Sequence, residues 1–172
     1  MSDRSFETFI AAILLAAGLS TRASARNKLL VATSGDDAAQ PMVRRSAEIL
    51  LTSRARSVIV VTGHEAADVE AALDGLDVTF VHNPDYADGM ASSLAVGIAA
   101  LPDGVSGALI ALGDMPMIET ATVDALIDTF DGTVGRSICL PVQEGRRGNP
   151  VLFSHTHFSS LSALTGDRGG KA

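Results

Sequence analysis

Two cations, Arg22 and Lys28, follow a small-residue turn, Leu15-Ala16-Ala17-Gly18, that closes an apolar run. Small residues let the backbone come close to a ligand, and successive N–H groups in such a turn can cradle an anion. Arginine offers phosphate oxygens a planar fork and lysine offers a point charge. The chemistry this suits is holding the phosphates of a nucleotide. On spacing alone, the same two cations serve equally well as solubilising surface charges. The stretch carries neither the GxGxxG fingerprint of dinucleotide sites nor the GxxxxGK[ST] of the P-loop.

Four further groups could join it. Asp114 lies in Gly113-Asp114-Met115-Pro116, directly after the apolar run 108–112. Magnesium takes one or two carboxylates plus substrate phosphates, so a lone Asp at a strand end suits it; a turn Asp capping the next helix is the plainer reading. Asn83-Pro84 and then Gly89-Met90-Ala91-Ser92-Ser93-Leu94 put hydroxyls at a helix start, where they could reach a base or phosphate or simply cap the helix. Arg146-Arg147-Gly148-Asn149-Pro150 leads into a strand, as an anion-facing unit or an exposed basic hairpin. Gly166-Asp167 places another carboxylate late in the chain. Nucleophilic chemistry has no support, because no Ser-His-Asp or Cys-His arrangement is evident. His64, His82, His155 and His157 are scattered; the last two could share a metal on a strand but lack further ligands.

The elements that must position these groups alternate. Continuous apolar runs at 10–16, 57–62, 78–81, 108–112, 138–142 and 151–153 read as strands. Amphipathic runs at 42–53, 66–73, 91–101, 120–130 and 157–164 read as helices, with Thr120 expected to cap the fourth. Strands that are apolar throughout, separated by helices, imply a mostly parallel sheet covered on both faces, in an α/β doubly wound, Rossmann-like arrangement. Ligands in such sheets sit at the carboxyl ends of the strands, so the loops after Ala16, Gly63, Val81 and Leu112 are expected to converge. The polar stretch Thr33 to Gln40 reads as a solvated loop or as part of a substrate entrance.

Composition narrows the class. The chain has 172 residues, 47% hydrophobic and 19% charged, which fits one domain with a real core. A net charge of -7 argues against general nucleic-acid binding, so any polyanion must be held by a local cation cluster. No run reaches the ~18 apolar residues of a membrane span. Arg4, the run from Phe9 to Leu19 and Ala23-Ser24-Ala25 mimic a signal peptide. Asp3 and Glu7 spoil a positive leader, and the run continues directly into the cationic loop, so a cytoplasmic location is expected. The only cysteine, Cys139, sits in an apolar run and reads as a small core residue.

Taken in order, Leu-Ala-Ala-Gly-x-Ser-x-Arg with Lys28, Asn83-Pro84, Gly89-Met90 with Ser92-Ser93-Leu94, Gly113-Asp114-Met115-Pro116 and Arg147-Gly148-Asn149-Pro150-Val151 resemble the MobA-like nucleotidyltransferases. Within them the pattern is most similar to the molybdenum cofactor cytidylyltransferases. The resemblance runs from Ile10 to Asp167 and implies a single domain with the nucleotide-diphospho-sugar transferase fold. It implies transfer of CMP from CTP to a molybdopterin-type cofactor, with magnesium and release of pyrophosphate. Leu15, Ala16, Ala17, Gly18, Asn83, Ser92 and Ser93 would then lie along the nucleotide. Arg22 and Lys28 would hold its triphosphate, Asp114 and Asp167 the metal, and Arg147 and Asn149 the acceptor. Leu-Ala-Ala-Gly, rather than Leu-Ala-Gly-Gly, is what implies CTP rather than GTP. The same fold acting on a sugar phosphate is the nearest alternative. A non-catalytic delivery protein for a molybdenum enzyme is another, and such an enzyme or its chaperone would be the protein partner.

Two departures stand out. Family members commonly have glycine two positions after the loop arginine, where this chain has Ser24. Near the end they often read Gly-Asp-x-Gly-Ala-Arg and continue for another helix. This chain reads Gly166-Asp167-Arg168-Gly169-Gly170-Lys171 and ends at Ala172, so a shortened C-terminus or one completed by a partner is expected.

Overall fold

The computed structural model describes residues 8–18, 27–33, 39–131 and 136–166. At its centre is β1 (Ile10–Ala16), a seven-residue strand with every residue buried. Its side chains alternate between two cores. Ile10, Ala12, Leu14 and Ala16 enter one, and Ile13, Leu15 and the following Ala17 enter the other. A strand with polar residues on either face could not occupy this place, which is why its sequence is apolar throughout.

Chain order continues with α1 (Met42–Leu51), β2 (Ser57–Thr62), α2 (Ala66–Ala72), β3 (Thr79–His82), α3 (Met90–Ala99), β4 (Gly107–Leu112) and α4 (Thr120–Thr129). Then come β5 (Ile138–Cys139), β6 (Val142–Gln143), β7 (Arg146–Arg147), β8 (Val151–Ser154) and α5 (Phe158–Ser162). Six strands form one sheet in the order β3-β2-β1-β4-β8-β5. β1 pairs in parallel with β2 and β4, and β2 with β3; β8 runs antiparallel to β4 and β5. The first core takes Val43, Ala47 and Leu50 of α1, Val69 of α2 and Val123 and Leu126 of α4. The second takes Leu94 and Ile98 of α3 and Leu161 of α5. The sheet is therefore helix-covered on both faces, as continuous apolar strands require, and the α/β expectation holds.

Three local expectations fail for physical reasons. The run 138–142 is not one strand: β5 ends at Cys139, and Val142 begins a separate hairpin in which β6 pairs with β7. Pro141 stands at the break, where it has no N–H to give a ladder, and its carbonyl instead accepts from Gly148 N at 2.8 Å. Thr120 does not cap α4; the cap position is Glu119, without a side-chain bond, and the Thr120 hydroxyl lies 3.1 Å from that of Thr52. The last helix starts later than expected, because His155–His157 form a tight 3-10 turn. His155 and His157 do not act as a pair: Nδ1 of the first lies 3.3 Å from the Ser106 carbonyl and Nε2 of the second 3.0 Å from the Ser137 hydroxyl. Cys139 is buried, and that burial pushes its thiol pKa up, as expected of a core residue rather than a reactive thiol.

α3 lies unusually close to the sheet at Gly97. A Cβ there would stand 2.6 Å from Ile13 Cγ2 and 3.1 Å from Val61 Cγ2, both on fully buried side chains. In an exposed helix, Gly→Ala gains about 1 kcal/mol. Here Gly97→Ala is expected to lower stability in a urea titration, because overpacking a core costs about 1–3 kcal/mol; a stabilised variant would refute the tight approach of α3.

Candidate functional site

The strand order places β1 beside β2 on one side and β4 on the other, so the chain reverses its winding between β1 and β4. In open parallel sheets ligands bind at the carboxyl ends of the strands flanking such a reversal. The loops leaving β1 and β4 are stitched together at that point. Gly113 N, just after β4, donates to Leu15 O of β1 at 3.0 Å. A Cβ at Gly113 would stand 3.1 Å from Leu29 Cδ2 and 3.2 Å from Leu15 O, so any larger residue would need its neighbours to give way by a few tenths of an ångström.

On this base the structure joins two residues far apart in sequence. Lys28 Nζ lies 3.3 Å from Asp114 Oδ2, with the side chains 47% and 40% exposed. Lys28 opens a 3-10 turn, Lys28–Leu30, in which the Asn27 side chain accepts from Leu29 N and Leu29 is buried. The Asp114 loop is fixed from behind by α1. Ser46 Oγ donates to the buried Gly113 carbonyl at 3.2 Å, and Arg45 Nε to the Pro116 carbonyl at 3.0 Å. Asn149 joins the same loop, with Nδ2 3.6 Å from Met115 Sδ. Arg147 is exposed on the β6–β7 hairpin two residues earlier.

The other expected site residues lie along the same edge of the sheet, at the end of β1 and after β3. Leu15, Ala16 and Ala17 are buried, and Gly18 is exposed. Ala17 O accepts from His64 N at 3.4 Å. A Cβ on Gly63 would stand 2.8 Å from Ala17 Cβ and 2.6 Å from Tyr86 Cβ, so the loops after β1, β2 and β3 close on one another. Asn83 is 1% exposed, and its amide donates to both Ser92 Oγ and Ser93 Oγ at 2.9 Å while its Oδ1 accepts from Asp85 N at 3.0 Å. Both donors of that amide are thus committed, and Asn83 acts as a strut that sets the two serines. Ala91 N, in the first turn of α3, donates to Gly166 O at 3.1 Å and draws the late Gly166 to the start of that helix. Gly89 at that start has φ 105°, a conformation that favours glycine. Arg22 and Asp167 lie outside the described residues.

Sequence reasoning missed Ser46 and Arg45, whereas it did expect the loop after Gly63, which carries His64, to converge here. Ser46 and Arg45 sit on a helix whose apolar spacing explains its formation, and nothing local marks their side chains as supports for a loop some 70 residues away; the separations are 67 and 71. Glu65, in a left-handed conformation at φ 51°, marks the His64 turn as constrained, and only the backbone reveals it.

The charges suit a hard cation and phosphates. Among the described residues no group of three or more His, Cys, Asp or Glu could hold a metal alone. A single carboxylate with phosphate oxygens completing the shell is a mode magnesium commonly uses. Asp114, half exposed at a strand end and facing a cation, fits that mode. Among the described residues no helix is long and apolar enough to cross a membrane.

Comparison with known proteins bears on the family and the fold. The family model described as the MobA-like NTP transferase domain matches residues 12–172. The bifunctional protein GlmU of Chromohalobacter salexigens is 37% identical over 120 residues, covering 69% of this chain and 25% of that protein. The molybdenum cofactor cytidylyltransferase of Escherichia coli is 30% identical over 102 residues, covering 56% of this chain and 48% of that protein. The chain thus spans about a quarter to a half of these curated relatives. Among solved structures, a nucleotidyl transferase from Methanothermobacter superposes with a TM-score of 0.79 at 26% identity, over 92% of this chain and 78% of that one. Rv0371c of Mycobacterium tuberculosis, also solved in complex with manganese, superposes with a TM-score of 0.74 at 30% identity, over 93% and 78%.

The geometry separates charge from stability. An exposed ion pair contributes at most about 1 kcal/mol, so Lys28→Met and Asp114→Asn should each lower unfolding free energy by less than that. Ser46→Ala strands a buried carbonyl and should cost about 1–3 kcal/mol. Urea titrations of the three variants check the order; Lys28→Met costing more than Ser46→Ala would overturn it.

Proposed function

The chain belongs to the MobA-like NTP transferase family, and from that premise we propose that it transfers CMP from CTP to the phosphate of a molybdopterin-type cofactor, releasing pyrophosphate. The observation that carries this reading is the meeting of Lys28 and Asp114 at 3.3 Å where the sheet reverses its winding. One group suits phosphate, the other a divalent cation, and nucleotidyl transfer needs both at one place.

In this reading Ala16, Ala17 and Gly18 lie along the nucleotide, and Lys28, with Arg22, holds the triphosphate. An acceptor phosphate oxygen bonds to the α-phosphorus while the bond from that phosphorus to the pyrophosphate oxygen breaks. The reacting oxygen comes from the acceptor, so no protein nucleophile is required. Lys28 offsets negative charge that spreads over the phosphoryl oxygens as this happens. Asp114, and Asp167 with it, would hold a magnesium ion, which supplies further charge neutralisation when bound. Asn83 orients Ser92 and Ser93 toward the nucleoside side. Asn149, beside Met115, and Arg147 stand toward the acceptor side. The Ala17 methyl favours CTP over GTP by resemblance. The unit acts as a single domain, in the cytoplasm, and passes its product to a molybdenum enzyme or its chaperone.

A second acceptor class stays in view. The Leu15-to-Gly18 loop also resembles that of sugar nucleotidyltransferases, so a sugar phosphate is the alternative acceptor, and bifunctional GlmU proteins match 69% of this chain against 56% for the cytidylyltransferase.

The test is pyrophosphate release from each of CTP, GTP, ATP and UTP with magnesium, against molybdopterin-type and sugar-phosphate acceptors. Release with CTP and the pterin acceptor is expected. Lys28→Met and Asp114→Ala should each lower kcat by about 10²–10³, the loss seen when a charge-stabilising group is removed. Release only with a sugar phosphate moves the assignment to the second acceptor. Tight cofactor binding without release points to a delivery protein.

A further inference from the structure

Lys28 and Asp114 stand 86 positions apart in the sequence, yet the backbone beneath each is fixed. Asn27 holds the turn that carries Lys28, and Leu29 of that turn packs toward Gly113. Gly113 is tied to Leu15 through its N–H and to Ser46 through its carbonyl. The two charged groups therefore meet because their supports are built to meet. The contact itself is light: one Nζ to one carboxylate oxygen, with both side chains close to half exposed. Such a pair is weak and can exchange partners without unpacking the core.

In the reading above, on which this inference rests, the ammonium belongs on a triphosphate and the carboxylate on a divalent cation. Neither ligand can be fully engaged while the two groups hold each other. We infer that the Lys28–Asp114 pair is a latch, closing the cation position until nucleotide phosphates draw the ammonium away. Each ligand removes the competitor of the other, so cation and nucleotide bind with positive coupling, equal in both directions. The cation consequently enters with the nucleotide rather than ahead of it.

The test uses Mn2+ alone, titrated by electron paramagnetic resonance against the full chain without nucleotide. Wild type and Lys28→Arg should bind it weakly. Lys28→Met should bind it about tenfold tighter or more, in the usual range of coupling between two sites. Adding Asp114→Asn to Lys28→Met should abolish the gain and so assign it to that carboxylate. Arg147→Gln removes an exposed cation that is not in the pair and should leave Mn2+ affinity within about twofold of wild type; a rise matching that of Lys28→Met would show a general field effect and overturn the latch. Equal Mn2+ affinity in wild type and Lys28→Met would overturn it too. The reciprocal arm measures CTP binding in excess chelator, where Asp114→Asn should bind more tightly than wild type. If wild type binds no nucleotide with or without Mn2+, the proposed function fails, while the Mn2+ comparison still decides the latch.

Discussion

The parallel pairing of β1 with both β2 and β4 is the constraint on which the site depends. It brings the carboxyl ends of the strands to one edge, and the ladder is continued by the hydrogen bonds from Gly113 to Leu15 and from His64 to Ala17. A one-residue slip of β1 would send Ile13 and Leu15 into the wrong core and carry Ala16 to Gly18 out of line with Asp114. Burial on both faces makes such a slip prohibitive, since all seven residues of β1 are buried. The precision of an exposed, polar edge is thus supplied by the dry strand behind it.

Around that strand the labour is divided. Buried or half-buried polar groups fix the loops: Ser46 holds the Gly113 carbonyl, Asn27 the Leu29 N–H, and Asn83 the Asp85 N–H and the hydroxyls of Ser92 and Ser93. Their bonds are sheltered from water, so each contributes to geometry and stability together. The formal charges, Lys28 and Asp114, remain solvated and add little to stability. Groups left in water in this way keep the freedom to exchange one partner for another, which ligand binding at a charged site requires.

The family assignment and the fold are shared with several proteins. The bifunctional GlmU proteins and the molybdenum cofactor cytidylyltransferase both match this chain. In the proposed function, the pairing of β1 and β4, with its glycine at the close approach, serves phosphates and cation whatever accepts the nucleotidyl group. In the same proposal the hairpin β6–β7 and Asn149, reached through the antiparallel end of the sheet, face the acceptor.

The sequence by itself determined the order of strands and helices, because strands buried on both faces must be apolar throughout and helices must show a stripe. It also marked Lys28, Asp114 and the Ala16-to-Gly18 turn as candidates, through the order of motifs that resembles a family rather than through residue type or local spacing, which fit surface charges and a turn carboxylate equally well. It misread the run 138–142, where Pro141 interrupts a pattern that hydrophobicity alone continues, and it placed a cap on Thr120 that the chain puts at Glu119. Only the tertiary structure decided that Lys28 meets Asp114, that Asn83 is a strut rather than an open donor, and that Ser46 and Arg45 hold the loop. Those contacts join residues up to 86 positions apart. Local periodicity reports which face of an element is dry, but it carries no information on which distant loop a polar side chain will find there.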